Sequence, residues 1–132
     1  MKMNPVVHFE MPAEDNERVS KFYENVFGWQ MQIMGQEYGG YLLATTTESD
    51  DKGPKKPGAI NGGFFKKPEG ENPPPHVVIS VDNLEESIKA VEGAGGKITS
   101  EKLDIPNVGL FVTFKDTEGN NVGMLQAVEM PK

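Results

Sequence analysis

The stretches HFEMPAEDNERVSKFYENVFG, residues 8–28, and HVVISVDNLEESIKAVEGAGG, residues 76–96, decide the fold, because they are two versions of one plan. Each runs His, a short alternating segment, Asp-Asn, three residues, Ser, and then an amphipathic segment that reaches a glycine. His8 leads to Asp15-Asn16, Ser20 and Gly28, and His76 leads to Asp82-Asn83, Ser87 and Gly95. Self-similarity of this kind marks a chain assembled from two related supersecondary units.

The opening of each copy alternates. Val7, Phe9 and Met11 alternate with His8 and Glu10, and Val77, Ile79 and Val81 alternate with His76 and Ser80, which predicts strands over about 5–11 and 76–81. In both, the histidine lies on the less apolar face. A helix follows each strand. Asp15 or Asn16 caps the first, with Val19, Phe22, Tyr23, Val26 and Phe27 at helical spacing. Asp82 with Glu85 resembles a capping box ahead of Leu84, Ile88 and Val91. Three further strand candidates follow each helix, at 29–34, 41–45 and 59–65 and then at 97–101, 110–115 and 121–127, so each half reads βαβββ.

The segment 46–58 is polar and rich in turn formers and predicts a long mobile hairpin loop, while KKPEGENPPP, residues 66–75, predicts a stiffened linker. Asp116-Thr-Glu-Gly119 makes the matching hairpin of the second half short. One helix covers only one face of a four-stranded sheet, so each half needs the other to wall its open face. The expected architecture is α+β, two βαβββ modules forming a curved mixed sheet around a cleft, with the helices outside. Module one covers about 5–65, the linker 66–75 and module two about 76–128, all within one domain of 132 residues. A chain of this length hides roughly two-thirds of its unfolded surface, enough for a core.

Composition narrows the partners. Thirteen Lys and Arg against 20 Asp and Glu give a formal charge of -7, which disfavours nucleic acid and anionic membranes. No apolar run approaches the roughly 18 residues of a membrane span, and the start MKMNPVVHFEM lacks a secretory signal, so a cytoplasmic protein is expected. With no cysteine, a metal would have to rely on His, carboxylate or amide oxygen. His8 and His76, the only histidines, therefore carry the chemical interest.

Strand alternation leaves His8, Glu10, His76, Val78 and Ser80 on the concave side, where imidazoles from equivalent strands would meet near a pseudo-twofold axis. Two imidazoles are half of a metal site, since a mononuclear site takes three or four protein ligands. They also read as hydrogen-bonding residues that line a polar cleft.

Several punctuated motifs together resemble the vicinal oxygen chelate superfamily, which groups glyoxalase I, extradiol dioxygenases, fosfomycin-resistance enzymes and bleomycin-resistance proteins. These motifs are His8 with Phe22-Tyr23, the Phe27-Gly28-Trp29 helix exit, the His76 repeat, and Lys115-Asp-Thr-Glu-Gly-Asn120 before the last strand. The resemblance implies a glyoxalase-like domain, a homodimer, and in the metal-dependent branches a divalent ion (Zn, Ni, Mn or Fe) held by one residue from the first and one from the last strand of each half. His8 and His76 match the first-strand positions. At the last-strand positions, where such relatives carry Glu, this chain has Gly123 and, in Asn61-Gly-Gly-Phe64, Gly63.

Gln126 lies an odd number of residues from Gly123 and so on the opposite face. Glu10 shares the face of His8 and is the candidate added ligand or general base. Gly62, Gly63 and Gly123 leave floor space for a ligand or mark bulges. Trp29, Tyr38, Tyr41, Phe64 and Phe111 are candidates for stacking on an organic ligand, with core packing as the alternative. Glu48, Asp50 and Asp51 read as a solvated acidic run, with calcium capture the other option. The leading expectation is a small-molecule cleft that binds a small organic ligand, or has a divergent activity, with an incomplete metal site and no required cofactor. The alternatives are a divalent-metal-dependent lyase or dioxygenase acting on a substrate with two adjacent oxygens, and an interaction module without catalysis.

Overall fold

The alternating segments of both halves are strands, and the helices that follow them begin at the expected Asp-Asn pairs. The structure is a computed structural model and describes residues 1–128. The chain divides into two compact units, His8–Pro75 and Met1–Val7 together with the residues from His76 onward. The residues ahead of β1 thus go with the second module, where Lys2 Nζ lies 2.9 Å from the Asp82 carboxylate and Pro5 O accepts from Ser80 N at 2.9 Å. The expected linker belongs to module one, as Lys67 N donates to Ala13 O at 2.9 Å and Lys67 Nζ pairs with Glu14 at 3.2 Å.

Module one contains β1 (Val6–Ala13), α1 (Asn16–Phe27), β2 (Gln30–Ile33), a 3-10 turn (Gln36–Tyr38), β3 (Leu42–Thr45), β4 (Ser49–Asp50), β5 (Gly53–Pro54) and β6 (Asn61–Lys66). Its sheet runs β2-β3-β6-β1, with β1 parallel to β6 and the other pairs antiparallel. Asp15 caps α1 by accepting from Arg18 N, and Gly28 ends it in the left-handed conformation at φ 71°. Ala13, Leu42, Ala44 and Phe64 form the buried core, with Phe9, Met11, Val19, Tyr23, Trp29 and Met31 packed against it. The expected apolar stripe of α1 is wider than the face it buries: Phe22, Val26 and Phe27 are 54%, 56% and 60% exposed.

Residues 46–58 differ from the expected mobile loop. They contain the small β4–β5 hairpin, and the Asn61 side chain anchors it by accepting from Thr46 N and donating to Ser49 Oγ, both at 2.9 Å. Glu48 pairs with Lys55 and Asp50 accepts from Lys52 N, so two members of the acidic run are used within the hairpin.

Module two contains β7 (His76–Ser80), α2 (Leu84–Gly93), β8 (Lys97–Ile98), β9 (Leu103–Ile105), β10 (Gly109–Lys115) and β11 (Asn121–Ala127). Its sheet runs β7-β11-β10-β8, with β7 parallel to β11, and repeats the module-one order. The strand expected at 97–101 stops early because Ser100 Oγ takes the Thr113 N–H, and pairing with β10 resumes as β9. Asn83, not Asp82, caps α2 by accepting from Glu86 N at 3.1 Å, because Asp82 faces Lys2. Val81, Leu84, Val112, Phe114 and Met124 form the core. Among the described residues no helix is long and apolar enough to cross a membrane.

The short turn between β10 and β11 is built on Asp116, which accepts from Glu118 N at 2.8 Å, Asn120 N at 2.9 Å and Asn120 Nδ2 at 3.0 Å, with Gly119 at φ 83°. The Asn120 bonds, side chain first and then backbone, hold the carboxyl below its ordinary value, and the Glu118 amide adds to them. A carboxyl lowered on folding stabilises fully above its unfolded value of about 3.9 and loses that stabilisation as pH falls through the folded value. Asp116→Asn is therefore expected to lower Tm at pH 7 and to do so less at pH 2.5. Equal Tm losses at the two pH values would contradict this account.

Candidate active site

In module one the polar face of the sheet is set by β1. Phe9 and Met11 join the core beneath α1, so His8 and Glu10 point to the other face. The parallel register sets His8 against Asn61 and Glu10 against Gly63. Leu42 is fully buried in the core, so Tyr41, one residue earlier, comes to the face of His8.

Tyr41 is the centre of this face. Its hydroxyl lies 3.0 Å from His8 Nε2, with the two rings nearly parallel at 22°. The same hydroxyl bonds to the Glu10 carboxyl. Burial, and then the charge and hydrogen bond of Glu10, raise the Tyr41 phenol far above its ordinary value, so it stays protonated throughout the physiological range. A carboxylate can only accept, so toward Glu10 the Tyr41 hydroxyl is the donor.

Gly63 is explained by the same ring. A Cβ on Gly63 would lie 2.1 Å from both a ring carbon and the hydroxyl oxygen of Tyr41, well inside contact distance. The aromatic ring stands where a side chain on β6 would have to stand. Gly62 is kept small in the same way by the Phe9 ring on the opposite face, 2.5 Å from its would-be Cβ.

Module two repeats the device with other residues. A Cβ on Gly123 would meet Phe111 ring carbons at 2.8 and 2.9 Å and a Val78 methyl at 3.1 Å. Leu43 pairs with Gly63 and Thr113 with Gly123, so Tyr41 and Phe111 each sit two residues before the glycine's cross-strand partner. Val78 pairs with Gly123 as Glu10 pairs with Gly63, which puts a buried apolar side chain where module one has its carboxyl. His76 opens β7, two residues before Val78, as His8 stands two residues before Glu10.

The structure thus brings together His8, Glu10, Tyr41 and Gly63 in one module, and Phe111 with Gly123 in the other. Two sequence-predicted residues are placed elsewhere. Trp29 stacks on Tyr23 at 4.6 Å and 12°, and Phe64 is 2% exposed, so both pack beneath α1 and away from His8. Tyr38 lies in the 3-10 turn. Gln126 is on the helix side as its spacing predicts, where Oε1 accepts from Leu84 N at 2.8 Å and satisfies the first amide of α2. Sequence reading took Tyr41 only as a stacking ring and missed its hydroxyl. The available signal was that Tyr41 and Leu43 share a parity opposite to the core residues Leu42 and Ala44.

The family model for the Glyoxalase/Bleomycin resistance protein/Dioxygenase superfamily matches residues 6–124, nearly all of both modules. The chain belongs to this superfamily. A glyoxylase-like domain-containing protein of Didymella fabae is 36% identical to it over 113 residues, 84% of each chain. CFP32 of Mycobacterium bovis, provisionally named a glyoxylase, is 27% identical over 122 residues, and the chain spans 44% of that relative's length. Among solved structures, the BH1468 protein of Bacillus halodurans C-125 superposes with a TM-score of 0.69 at 16% identity, covering 99% of both chains. A Streptomyces coelicolor methylmalonyl-CoA epimerase variant in complex with 2-nitronate-propionyl-CoA superposes with a TM-score of 0.67 at 14% identity, covering 98% of this chain and all of that one. At such identities the likeness establishes the fold.

The metal-dependent branches of the glyoxalase superfamily suggest a divalent ion, and the donor set can be tested against one. His8 Nε2 is turned to a phenol, and Gly63 and Gly123 lie under aromatic rings. Among the described residues no three His, Asp or Glu side chains gather closely enough to hold a metal. A zinc-type site needs three or four protein ligands, and module one by itself, with His8 and Glu10, does not supply them.

Proposed function

We propose that this glyoxalase-superfamily protein takes a small organic molecule on the His8–Glu10–Tyr41 face of its first module, with protein hydrogen bonds rather than a metal ion orienting the ligand. The observation that supports this reading is the Tyr41 hydroxyl at 3.0 Å from His8 Nε2, above a glycine that its ring keeps bare. Polar groups with both donor and acceptor capacity beside an aromatic ring are common elements of small-molecule sites. In this reading His76, Gly123 and Phe111 do for the second module what His8, Gly63 and Tyr41 do for the first, and Glu10 is the candidate general base if the bound molecule is turned over.

The net charge of -7 favours a neutral or cationic ligand over a polyanion such as a CoA ester. The test is a thermal-shift screen of neutral and cationic organic compounds, run with and without a chelator, on protein whose metal content is measured beforehand. A ligand present at 100 times its Kd stabilises by about 2.7 kcal/mol and raises Tm by several degrees. We expect such a rise to survive chelation. A stoichiometric Zn, Ni, Mn or Fe ion whose removal abolishes the rise would favour the metal-dependent lyase or dioxygenase instead.

A further inference from the structure

We infer that Tyr41 is the positioning residue of the module-one face: its ring takes the space above Gly63, and its hydroxyl holds His8 with the proton on Nε2. The inference deepens the reading above and rests on it only for the claim that a ligand binds there. Three observations carry it. The Gly63 Cβ position lies 2.1 Å from the Tyr41 ring and hydroxyl, so position 63 of β6 cannot carry a side chain toward His8 while the ring is there. The register puts Glu10 directly opposite Gly63, so the carboxyl and the ring share one spot on the sheet. The third is that the Tyr41 hydroxyl, 3.0 Å from His8 Nε2, stands over the same Gly63 that Glu10 opposes, and with its proton given to that acceptor-only carboxylate the ring nitrogen is the donor.

The consequence is chemical. In a neutral imidazole with its proton on Nε2, the lone pair is on Nδ1, and Nε2 cannot ligate an ion until it gives up both its proton and its bond to Tyr41. Tyr41 therefore decides which face of His8 a ligand meets, and it does so without touching the ligand through any ionised group. Removing the hydroxyl alone, in Tyr41→Phe, leaves the ring over Gly63 and frees Nε2, so the tautomer should drift toward the mixture of a solvated imidazole.

The test uses the two-histidine composition of the chain. In 15N-histidine-labelled protein, His76→Gln leaves one imidazole, and long-range proton–nitrogen correlation at pH 8 reports which nitrogen is protonated. The expected spectrum has Nε2 protonated and Nδ1 unprotonated. Tyr41→Phe in the same background is expected to shift both nitrogens toward each other. A wild-type-Tyr41 spectrum with the proton on Nδ1, an even mixture of tautomers, or no difference between the Tyr41 and Tyr41→Phe spectra would overturn the inference. The two readings fail separately: a screen without ligands sinks the binding proposal and leaves the tautomer as stated, whereas a wrong tautomer sinks the role of Tyr41 whatever binds.

Discussion

Phe64→Ala is expected to lower the unfolding free energy by about 3–5 kcal/mol, the range for deleting a buried aromatic ring. Phe64 is 2% exposed and sits in mid-sheet, opposite Met11 on β1 and Leu42 on β3, with its ring 5.4 Å from that of Tyr23. Every wall of the space it would leave is made by sheet or helix residues, so little can collapse into it. Phe64→Leu keeps most of the volume and should cost roughly a third as much. Urea unfolding that follows the shift in midpoint at constant slope measures both. A loss of under about 1 kcal/mol for Phe64→Ala would mean the ring is not packed as described. It would also restore Phe64 as a ligand-contact candidate, since an exposed ring is the alternative to a core one.

The second large effect is a coupling. Gly63→Ala by itself is expected to cost about 1–3 kcal/mol, because the new methyl group must displace the Tyr41 ring and break its bonds to His8 and Glu10. Once Tyr41→Ala has removed the ring, the atoms nearest the new methyl group are gone. It should then be neutral, or stabilising by up to about 1 kcal/mol, since glycine in a strand carries an entropic cost. The two changes should therefore be non-additive by about 2 kcal/mol, with the double variant more stable than the sum of the single losses implies. Chemical denaturation of the four proteins measures this cycle. Additivity within about 0.5 kcal/mol would show that Tyr41 does not lie over Gly63. Ligand binding offers a second readout, because displacing the Tyr41 ring removes the hydrogen bonds that orient His8.

Much of the framework follows from local rules that a single segment can satisfy. Alternation at Asn121–Ala127 makes a strand with the expected limits, and Asp116 with Gly119 makes the short turn before it. The odd spacing of Gln126 from Gly123 predicts the opposite face, where it is found on α2. Local rules misplace a boundary when a distant partner intervenes. Asp82 looks like the better cap for α2 until Lys2, eighty residues earlier, faces it, and the strand at 97–101 looks continuous until Ser100 captures the Thr113 amide.

By itself the sequence determined the paired βαβββ plan, the side of each first strand that carries histidine, and the presence of Gly63 and Gly123 in mid-strand. These are consequences of periodicity and of residue type, and both can be read along a line. Only the tertiary structure decided what fills the space above those glycines. The parity of Tyr41 indicates its face, but the reach of its hydroxyl to His8 and Glu10 depends on β3 pairing with β6 in one register and β6 with β1 in another. Hydrogen bonding between strands far apart in the chain sets those registers, and a shift of one residue in either would turn the phenol to the other side of the sheet.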